Sequence, residues 1–389
     1  MSERNLDFDH LPDRSGTGSI KWDHALYGRT DDDLPLWVAD MDFRTSSYVE
    51  DALAQEAHHN IYGYTYYQEE YWNALSGYLK KYHHYEPDPD SLIRMPGVVP
   101  ALAMAVRAFT EPGEAVLIQE PVYMHFRSVI EDNGRVPISN DLVFHSGHYE
   151  IDFADFEQKI VENHIRLFLL CNPHNPGGRV WTEEELRRMG EICVRHDVLI
   201  ASDDIHLDFV WSGEHHFLSE LDHAFAERSI LCTAPSKTFN LAGLQDANIF
   251  IADRKLYRRF RQTWKATGMG SLSQPAQVSM IAAYTHGDEW RNAMLSYVSA
   301  NLDFAVRYIR EEIPKLKTVK PEGTYLLWID CRPYNPQEIS RRSHVFLNNG
   351  ADFGAPGAGF LRLNAACPRQ VLKKALARLR NSMLTIDQV

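Results

Sequence analysis

The chain has 389 residues, 44% hydrophobic and 24% charged, which suits a globular protein of two domains, or one large domain carrying a smaller one. Its net charge of −13 argues against nucleic acid or an acidic membrane as a partner. No apolar run reaches the ~18 residues of a membrane span, and the first residues lack the apolar stretch of a signal peptide. Five cysteines without CxxC spacing indicate reduced thiols, so we expect a cytoplasmic protein.

Short apolar runs alternate with helical segments through the middle of the chain. Strands are predicted at 115–119, 166–171, 198–201, 229–233 and 248–251. A helix is predicted over 100–109, and another begins at Thr182, which has capping-box spacing to Glu185, and runs to about residue 196. Continuous apolar strands separated by helices are typical of an α/β fold, with a parallel sheet covered on both faces.

After about residue 287 the pattern changes. It predicts a helix over 288–313, a strand over 325–329, a helix over 336–348 closed by Gly350, a strand over 359–363 and a helix over 368–383. Longer helices and fewer strands indicate an α+β domain. We therefore predict a large ligand-binding domain over 46–286 and a small domain built from 1–45 and 287–389.

Three polar side chains follow successive predicted strands. Asn175 follows strand 166–171, Asp203 follows 198–201 and Lys237 follows 229–233. Ligands of doubly wound folds bind at the carboxyl ends of strands, so we expect these side chains to share one rim. Pyridoxal 5′-phosphate (PLP) requires an amine for a Schiff base, a carboxylate at its pyridine nitrogen and an amide at its ring oxygen. Taken singly, each residue also fits an ordinary role as a turn residue, a helix cap or a surface charge.

Other segments could bind anionic groups or the cofactor ring. Gly97 precedes a predicted helix start, whose free backbone N–H groups attract phosphate. Arg362 lies between apolar neighbours on a short strand, where it could bind an α-carboxylate or form a structural ion pair. Tyr123, after strand 115–119, could stack on a ring or belong to the core. The sequence has no HExxH, paired CxxC, GxSxG or P-loop motif, so no metal site is predicted.

Together these segments resemble a known family. The chain is similar to fold-type I PLP enzymes of the aminotransferase class I/II superfamily, in the subgroup of MalY/PatB-type cystathionine β-lyases (C-S lyases). The segments that carry the resemblance keep the family's order: 36–43 (LWVADMDF), 62–64 (YGY), 96–100 (PGVVP), 171–181 (CNPHNPGGRVW), 202–206 (SDDIH), 234–240 (APSKTFN) and 359–364 (GFLRLN). The resemblance implies a large domain with a mostly parallel seven-stranded sheet between helices, plus a smaller α+β domain.

The resemblance also implies residue roles. Lys237 carries PLP, and Asp203 faces the pyridine nitrogen. Further cofactor contacts are implied for the ring (Tyr123), the ring oxygen (Asn175, with His206 nearby) and the phosphate (Gly97, Val98, Val99, Ser236, and Tyr64 of the neighbouring subunit of a homodimer). Substrate contacts are implied for Ala39, Asp40 and Arg362, the last holding the α-carboxylate.

Two positions depart from the family's pattern. Asp204 replaces the glutamate of SDEIH and is one methylene shorter. Gln245 stands where many aminotransferases have a phosphate-binding arginine. The sequence therefore does not identify what offsets the charge of the phosphate.

The implied reaction is β-elimination of L-cystathionine and related cysteine S-conjugates, giving a thiol (homocysteine), pyruvate and ammonia, with Lys237 as general base. One alternative is an aminotransferase of amino acids, which shares the removal of the Cα proton. A second is a PLP-binding regulatory protein with little turnover. The residues named above serve the lyase and the aminotransferase equally, and no motif records which thioether the pocket prefers.

Overall fold

The computed structural model describes residues 2–23, 30, 32–270 and 272–386. Its strands, in chain order, are β1 (Leu34–Pro35), β2 (Leu92–Met95), β3 (Ala115–Ile118), β4 (Val136–Ser139), β5 (Val143–His145), β6 (His148–Glu150), β7 (Leu167–Cys171), β8 (Leu199–Asp203), β9 (Ser229–Thr233), β10 (Ala247–Phe250), β11 (Leu326–Asp330), β12 (Val345–Phe346), β13 (Asn348–Asn349) and β14 (Phe360–Asn364).

The helices are α1 (Ser47–His59), α2 (Glu69–His83), α3 (Val98–Phe109), α4 (His125–Glu131), α5 (Phe153–Glu162), α6 (Glu183–Arg195), α7 (Leu218–Leu221), α8 (His223–Ala226), α9 (Arg254–Ala266), α10 (Gln274–His286), α11 (Asp288–Glu312), α12 (Pro336–Ser343) and α13 (Arg369–Ile386). The capping box predicted at Thr182 is present at the start of α6, where Thr182 and Glu185 each accept the other's backbone N–H. Within the described residues, no helix is both long and apolar enough to cross a membrane.

A seven-stranded sheet forms the centre of the molecule, in the order β2-β10-β9-β8-β7-β3-β4. The neighbours from β9 to β4 pair in parallel, whereas β10 runs antiparallel to both β2 and β9. The predicted mostly parallel seven-stranded sheet is therefore confirmed. The edge strands β2 and β4 were not predicted, because they are short and only partly buried.

Strand β7 shows why the sheet is covered on both faces. All five of its residues are buried, and successive side chains point to opposite sides. Leu169 packs in the core that contains Leu102 of α3, whereas Phe168 packs in the core that contains Leu186 of α6. Each such side chain contributes about 1.5–3 kcal/mol when it leaves water, so a continuous apolar run is stable only between two helical layers.

A smaller antiparallel sheet, in the order β11-β14-β13, lies in the C-terminal part of the chain. The N-terminal strand β1 joins this part by pairing in parallel with β12. The largest core cluster holds residues from both sides of the predicted boundary near 286, such as Met280 and Met294. The division into a domain of 46–286 and a domain of 1–45 with 287–389 stays a prediction.

The helix predicted over 336–348 is wrong in its second half. Helix α12 ends at Ser343, because His344 adopts a left-handed conformation (φ 50°) and its N–H bonds back to carbonyls of the last turn. The following residues form β12 and β13 instead, and β13 pairs with β14 so that Asn348 lies opposite Arg362. The apolar spacing of 336–348 did not reveal this stop.

Candidate active site

A cavity of about 170 Å³ lies at the carboxyl ends of β7, β8 and β9. The predicted site residues that line it are Ala39, Gly97, Val98, Val99, Tyr123, Asn175, Asp203, His206, Ser236 and Lys237. Asp40 and Arg362 border this group, because Asp40 follows Ala39 in the chain and Arg362 hydrogen-bonds Asn175. Tyr64 lies apart, with a fully exposed side chain.

The strand register brings the central polar groups together. Asp203 is the last residue of β8, two residues beyond the predicted strand end, and it pairs with Cys171 of β7 and Cys232 of β9. Asn175 and Lys237 follow those two neighbouring strands. Parallel strands end at the same edge of a sheet, so the three side chains reach one rim, as expected.

Lys237 places its amine at this cavity. Its Nζ donates a hydrogen bond to the carbonyl oxygen of Ala39 at 2.7 Å, and the Tyr325 hydroxyl donates to the same oxygen at 2.8 Å. Burial lowers the pKa of Lys237 to about 8, against the opposing effect of Asp40. A larger fraction of this amine is therefore neutral near pH 7 than in an ordinary lysine, and only the neutral amine attacks an aldehyde or accepts a proton.

Asp203 is 5% exposed, and its Oδ1 accepts the backbone N–H of Ile205 at 3.1 Å. Burial raises the pKa of Asp203 to about 7, with a further increase from the neighbouring Asp204. A buried carboxylate in this position is stable when a cation faces it. The protonated nitrogen of a pyridine ring would supply that cation.

Asp204 turns away into a network of its own. Its Oδ1 lies 2.8 Å from His215 Nε2, and its Oδ2 accepts the Ser202 hydroxyl. Both carboxylate oxygens therefore have partners inside the protein. The shorter side chain at this position of SDDIH is fully accommodated without reaching the cavity.

Arg362 is 2% exposed and held by neutral groups. Its Nη1 donates to Asn175 Oδ1 at 2.9 Å, and its Nη2 donates to Asn348 Oδ1 at 2.6 Å and to the Trp37 carbonyl at 3.0 Å. No carboxylate forms a salt bridge with it in the described part of the chain, so the structural ion pair considered as an alternative is not found. Its Nε is buried without a partner among these residues.

Burial without a salt bridge changes the pKa of the Arg362 guanidinium. Burial lowers the pKa of Arg362 to about 10, and the nearby tyrosines Tyr123 and Tyr325 oppose that shift. A buried cation surrounded by neutral acceptors is costly unless an anion joins it. The arrangement therefore suits a bound carboxylate.

The start of helix α3 forms the other end of the cavity. The first intrahelical bond runs from the N–H of Ala101 to the Gly97 carbonyl at 3.2 Å, so the N–H groups of Val98 and Val99 have no helical partner. The Ser236 side chain lies at the same cavity. Unpaired N–H groups and the helix dipole together favour a phosphate there.

Two aromatic side chains complete the wall. The backbone N–H of Tyr123 donates to the Asn175 carbonyl at 3.0 Å, which keeps its ring beside the cavity. His206 has a buried Nδ1 without a partner in the described residues. Burial, with the positive charges of Lys237 and Arg362, holds the pKa of His206 well below its usual range, so this imidazole is neutral.

Asp40 is fixed from outside the cavity. Its carboxylate pairs with Arg14 at 2.7 Å and Lys21 at 3.5 Å, and its backbone carbonyl accepts the Asn364 amide at 2.6 Å. Burial acts to raise the pKa of Asp40, but these cations hold it below its usual value. The chain next to Ala39 is therefore held in place by charged side chains that do not themselves reach the cavity.

Sequence reasoning missed several residues of this site. Tyr325 and Asn348 come from the C-terminal part, and Asp246 lies at the phosphate end of the cavity. Only Asp246 carried a signal in the sequence, because a carboxyl residue directly before the apolar run of β10 is expected to be buried. Tyr325 and Asn348 had no such signal, because strand pairing alone brings them to the site.

The residues present fit PLP. One cavity is surrounded by an amine, an amide, a buried carboxylate and two N–H groups at a helix start. Among the residues that the structure describes, the carboxylate has no salt bridge and the two N–H groups have no hydrogen-bond partner. An arginine held by neutral groups lies at the edge of the cavity. These donors match the aldehyde, pyridine nitrogen, ring oxygen and phosphate of the cofactor, and the carboxylate of an amino-acid substrate.

Comparison with known proteins agrees with this geometry. The family model of aminotransferase class I and II matches residues 33–379. Cystathionine beta-lyase PatB of Bacillus subtilis (strain 168) is 40% identical over 387 residues, which cover 97% of this chain and 100% of PatB. Protein MalY of Escherichia coli (strain K12) is 32% identical, with 98% and 100% covered. The crystal structure of a PLP-bound putative aminotransferase from Clostridium difficile 630 is 38% identical, with a TM-score of 0.94 and 97% and 100% covered. The chain therefore belongs to the aminotransferase class I and II family, in the group that includes PatB and MalY.

Proposed function

We propose that this protein is a PLP-dependent carbon–sulfur lyase that eliminates a thiol from L-cystathionine and related cysteine S-conjugates. The remaining three-carbon fragment then takes up one water and gives pyruvate and ammonia. The convergence of Lys237, Asp203 and Arg362 on one cavity carries the assignment to PLP chemistry on an amino acid. The 40% identity to PatB, a cystathionine beta-lyase, along the whole chain favours elimination.

Each residue has a distinct task in this reaction. PLP, when bound, supplies the electron sink that acidifies the Cα–H bond and allows a thiolate to leave Cβ. The Lys237 amine accepts the Cα proton, for which a pKa of about 8 is well suited. Arg362 holds the substrate carboxylate, and Asp203 keeps the pyridine nitrogen protonated through its negative charge.

Amino-acid transamination is the second candidate. The clostridial relative is described as a putative aminotransferase, and it resembles this chain almost as closely as PatB does. Every residue discussed above serves both reactions until the Cα proton has been removed. The two reactions then differ only in whether a group leaves from Cβ.

We also propose a homodimer in which each subunit completes the other's cavity. Ile61, Tyr62, Tyr64 and Tyr66 form an exposed segment between α1 and α2, with side-chain exposures of 70%, 65%, 111% and 78%. So much apolar surface in one segment is typical of an interface. Tyr64 is exposed and does not line the cavity of its own subunit, which agrees with its implied role at the phosphate of the neighbouring subunit.

The five free, buried cysteines agree with a reducing compartment such as the cytoplasm.

A substrate panel tests the function. The protein, loaded with PLP, is mixed with L-cystathionine, L-cystine and S-alkyl cysteines, and thiol and pyruvate are measured together in a single turnover. The lyase releases both in equal amounts. Conversion of the cofactor to pyridoxamine phosphate without thiol would show an aminotransferase, and full PLP binding without any turnover would favour a regulatory role.

A further inference from the structure

Asp246 occupies a position at the phosphate end of the cavity that the proposed function leaves unexplained. It directly precedes β10, whose first residue, Ala247, pairs antiparallel with Met95 at the end of β2. Because the two strands are antiparallel, Asp246, which precedes Ala247, lies beside Pro96, which follows Met95. Asp246 is therefore close to the start of α3. Asp246 and Gln245 both line the cavity.

The carboxyl group of Asp246 is buried and has few hydrogen bonds. The residue is 4% exposed, and its Oδ1 lies 2.8 Å from the Tyr71 hydroxyl. That hydroxyl also lies 2.7 Å from Asn248 Oδ1, and its single hydrogen can serve only one of the two oxygens. Oδ2 of Asp246 has no partner in the part of the chain that the structure describes.

The charged and titratable groups around Asp246 do not neutralise it. Arg94 on β2 is the facing cation, but its guanidinium lies 4.0 Å from the centre of the Tyr71 ring and donates to Gln277 at 3.1 Å. Tyr71 on α2 and Tyr284 on α10 are the other facing groups, and burial holds the pKa of each phenol well above its usual range. Both are therefore neutral, and Asp246 has no ion pair among the described residues.

We propose that Asp246 is a cofactor-binding residue whose carboxyl group keeps its proton and donates a hydrogen bond to the phosphate of PLP. This inference rests on the proposed function, because it requires that PLP binds in this cavity. A neutral donor then stands beside Gln245, where an ionised carboxylate would repel the phosphate.

The physical reason is the proximity of two acids in a poorly solvated place. Burial already raises the pKa of Asp246 to about 7, against the Tyr71 hydrogen bond and the charge of Arg94. A phosphate dianion, whose second pKa is about 6 in solution, raises it further. Above pH 7, the cofactor-free protein and the free cofactor have both lost the proton that their complex keeps. Binding therefore takes up one proton, and the affinity falls by about tenfold for each pH unit above pH 7.

The test measures affinity without the reaction of the lysine. Pyridoxamine phosphate carries the phosphate but no aldehyde, so Lys237 does not react with it. Its dissociation constant is measured between pH 6.5 and 8.5 for the cofactor-free wild type, for Asp246→Asn and for Asp132→Asn, a matched loss of one charge at an exposed turn. Lys237 and Asp203 titrate in the same range in all three proteins, so the difference between the profiles isolates Asp246. Above pH 7, we expect the affinity of wild type and Asp132→Asn to fall about tenfold more per pH unit than that of Asp246→Asn. Parallel profiles for wild type and Asp246→Asn would overturn the inference.

A second measurement counts protons directly. Wild type and Asp246→Asn are titrated calorimetrically with pyridoxamine phosphate at pH 8, in two buffers of different ionisation enthalpy. We expect wild type to take up about one proton per site more than Asp246→Asn. Equal uptake by the two proteins would overturn the role of Asp246 while leaving the proposed function intact, whereas failure of the wild type to bind either pyridoxamine phosphate or PLP would overturn both.

Discussion

Asn348→Asp would convert the proposed carboxylate site into an ion pair with a nearly unchanged shape. Asn348 Oδ1 accepts a hydrogen bond from Arg362 Nη2 at 2.6 Å, so the new carboxylate replaces a neutral acceptor at the same place. Arg362 is at present held by neutral groups, and its charge is free to bind a substrate carboxylate. In the variant that charge is already balanced.

The size of the effect follows from this geometry. The substrate carboxylate and the introduced carboxylate would share one guanidinium, about 4 Å apart, and at an effective dielectric constant of about 20 two such charges repel by about 4 kcal/mol. Each 1.4 kcal/mol corresponds to about a tenfold change in affinity. We therefore expect KM for L-cystathionine to rise by about two to three orders of magnitude.

Steady-state rates of thiol and pyruvate release measure this rise. Asn348→Ala is the control, because it removes one hydrogen bond without adding charge and should raise KM by less than about tenfold. A cysteine S-conjugate amide, which lacks the carboxylate, should react equally with wild type and Asn348→Asp. An increase in KM below about threefold for the charged variant, with PLP absorbance unchanged, would refute the assignment of Arg362.

Further outcomes are expected for other residues of the chain. Lys237→Ala should lose turnover and covalent attachment of PLP, as judged by mass spectrometry after borohydride reduction. If the subunits share sites, mixing Lys237→Ala with Tyr64→Ala should restore about a quarter of wild-type activity, because about half of the dimers are mixed and each mixed dimer has one intact site. In the cofactor-free protein, acylation of Lys237 should titrate near pH 8, because burial lowers its pKa to about 8 and the neutral amine appears at lower pH than in exposed lysines. Asp203→Asn should lower kcat by about 10²–10³ with little change in KM, since a neutral amide does not hold the pyridine proton. Gly350→Ala should lower the thermal unfolding midpoint, because the added Cβ would overlap the Gly357 carbonyl oxygen.

The central sheet and its polar rim were predictable because the physics is local there. A strand buried on both faces is mostly apolar, as β7 is throughout and β9 is at its three central residues. The first polar residues after such a strand leave the sheet at its edge. Asn175, Asp203 and Lys237 could therefore be placed together from the sequence alone. The observed strand ends differ from the predicted ones by one or two residues, and the three side chains still reach the same rim.

The parts that could not be predicted depend on pairing between distant segments. Asn348 reaches Arg362 only because β13 pairs with β14, and Asp246 reaches Pro96 only because β10 pairs with β2. Both β2 and β13 are short, and neither carries a strong period of its own. Hydrophobic spacing describes one element at a time, so it contains no information on which element lies beside it.

The early end of α12 has a consequence for how substrate recognition could change in this fold. The acceptor on Asn348 exists because the chain abandons helical geometry at His344 and unwinds into extended backbone. One more turn of helix would carry Asn348 away from Arg362 while leaving every chemical group of the pocket in the sequence. The left-handed backbone of His344 therefore helps to determine where Asn348 lies. Substitutions that lengthen α12 are expected to change substrate recognition without altering any residue that contacts the substrate.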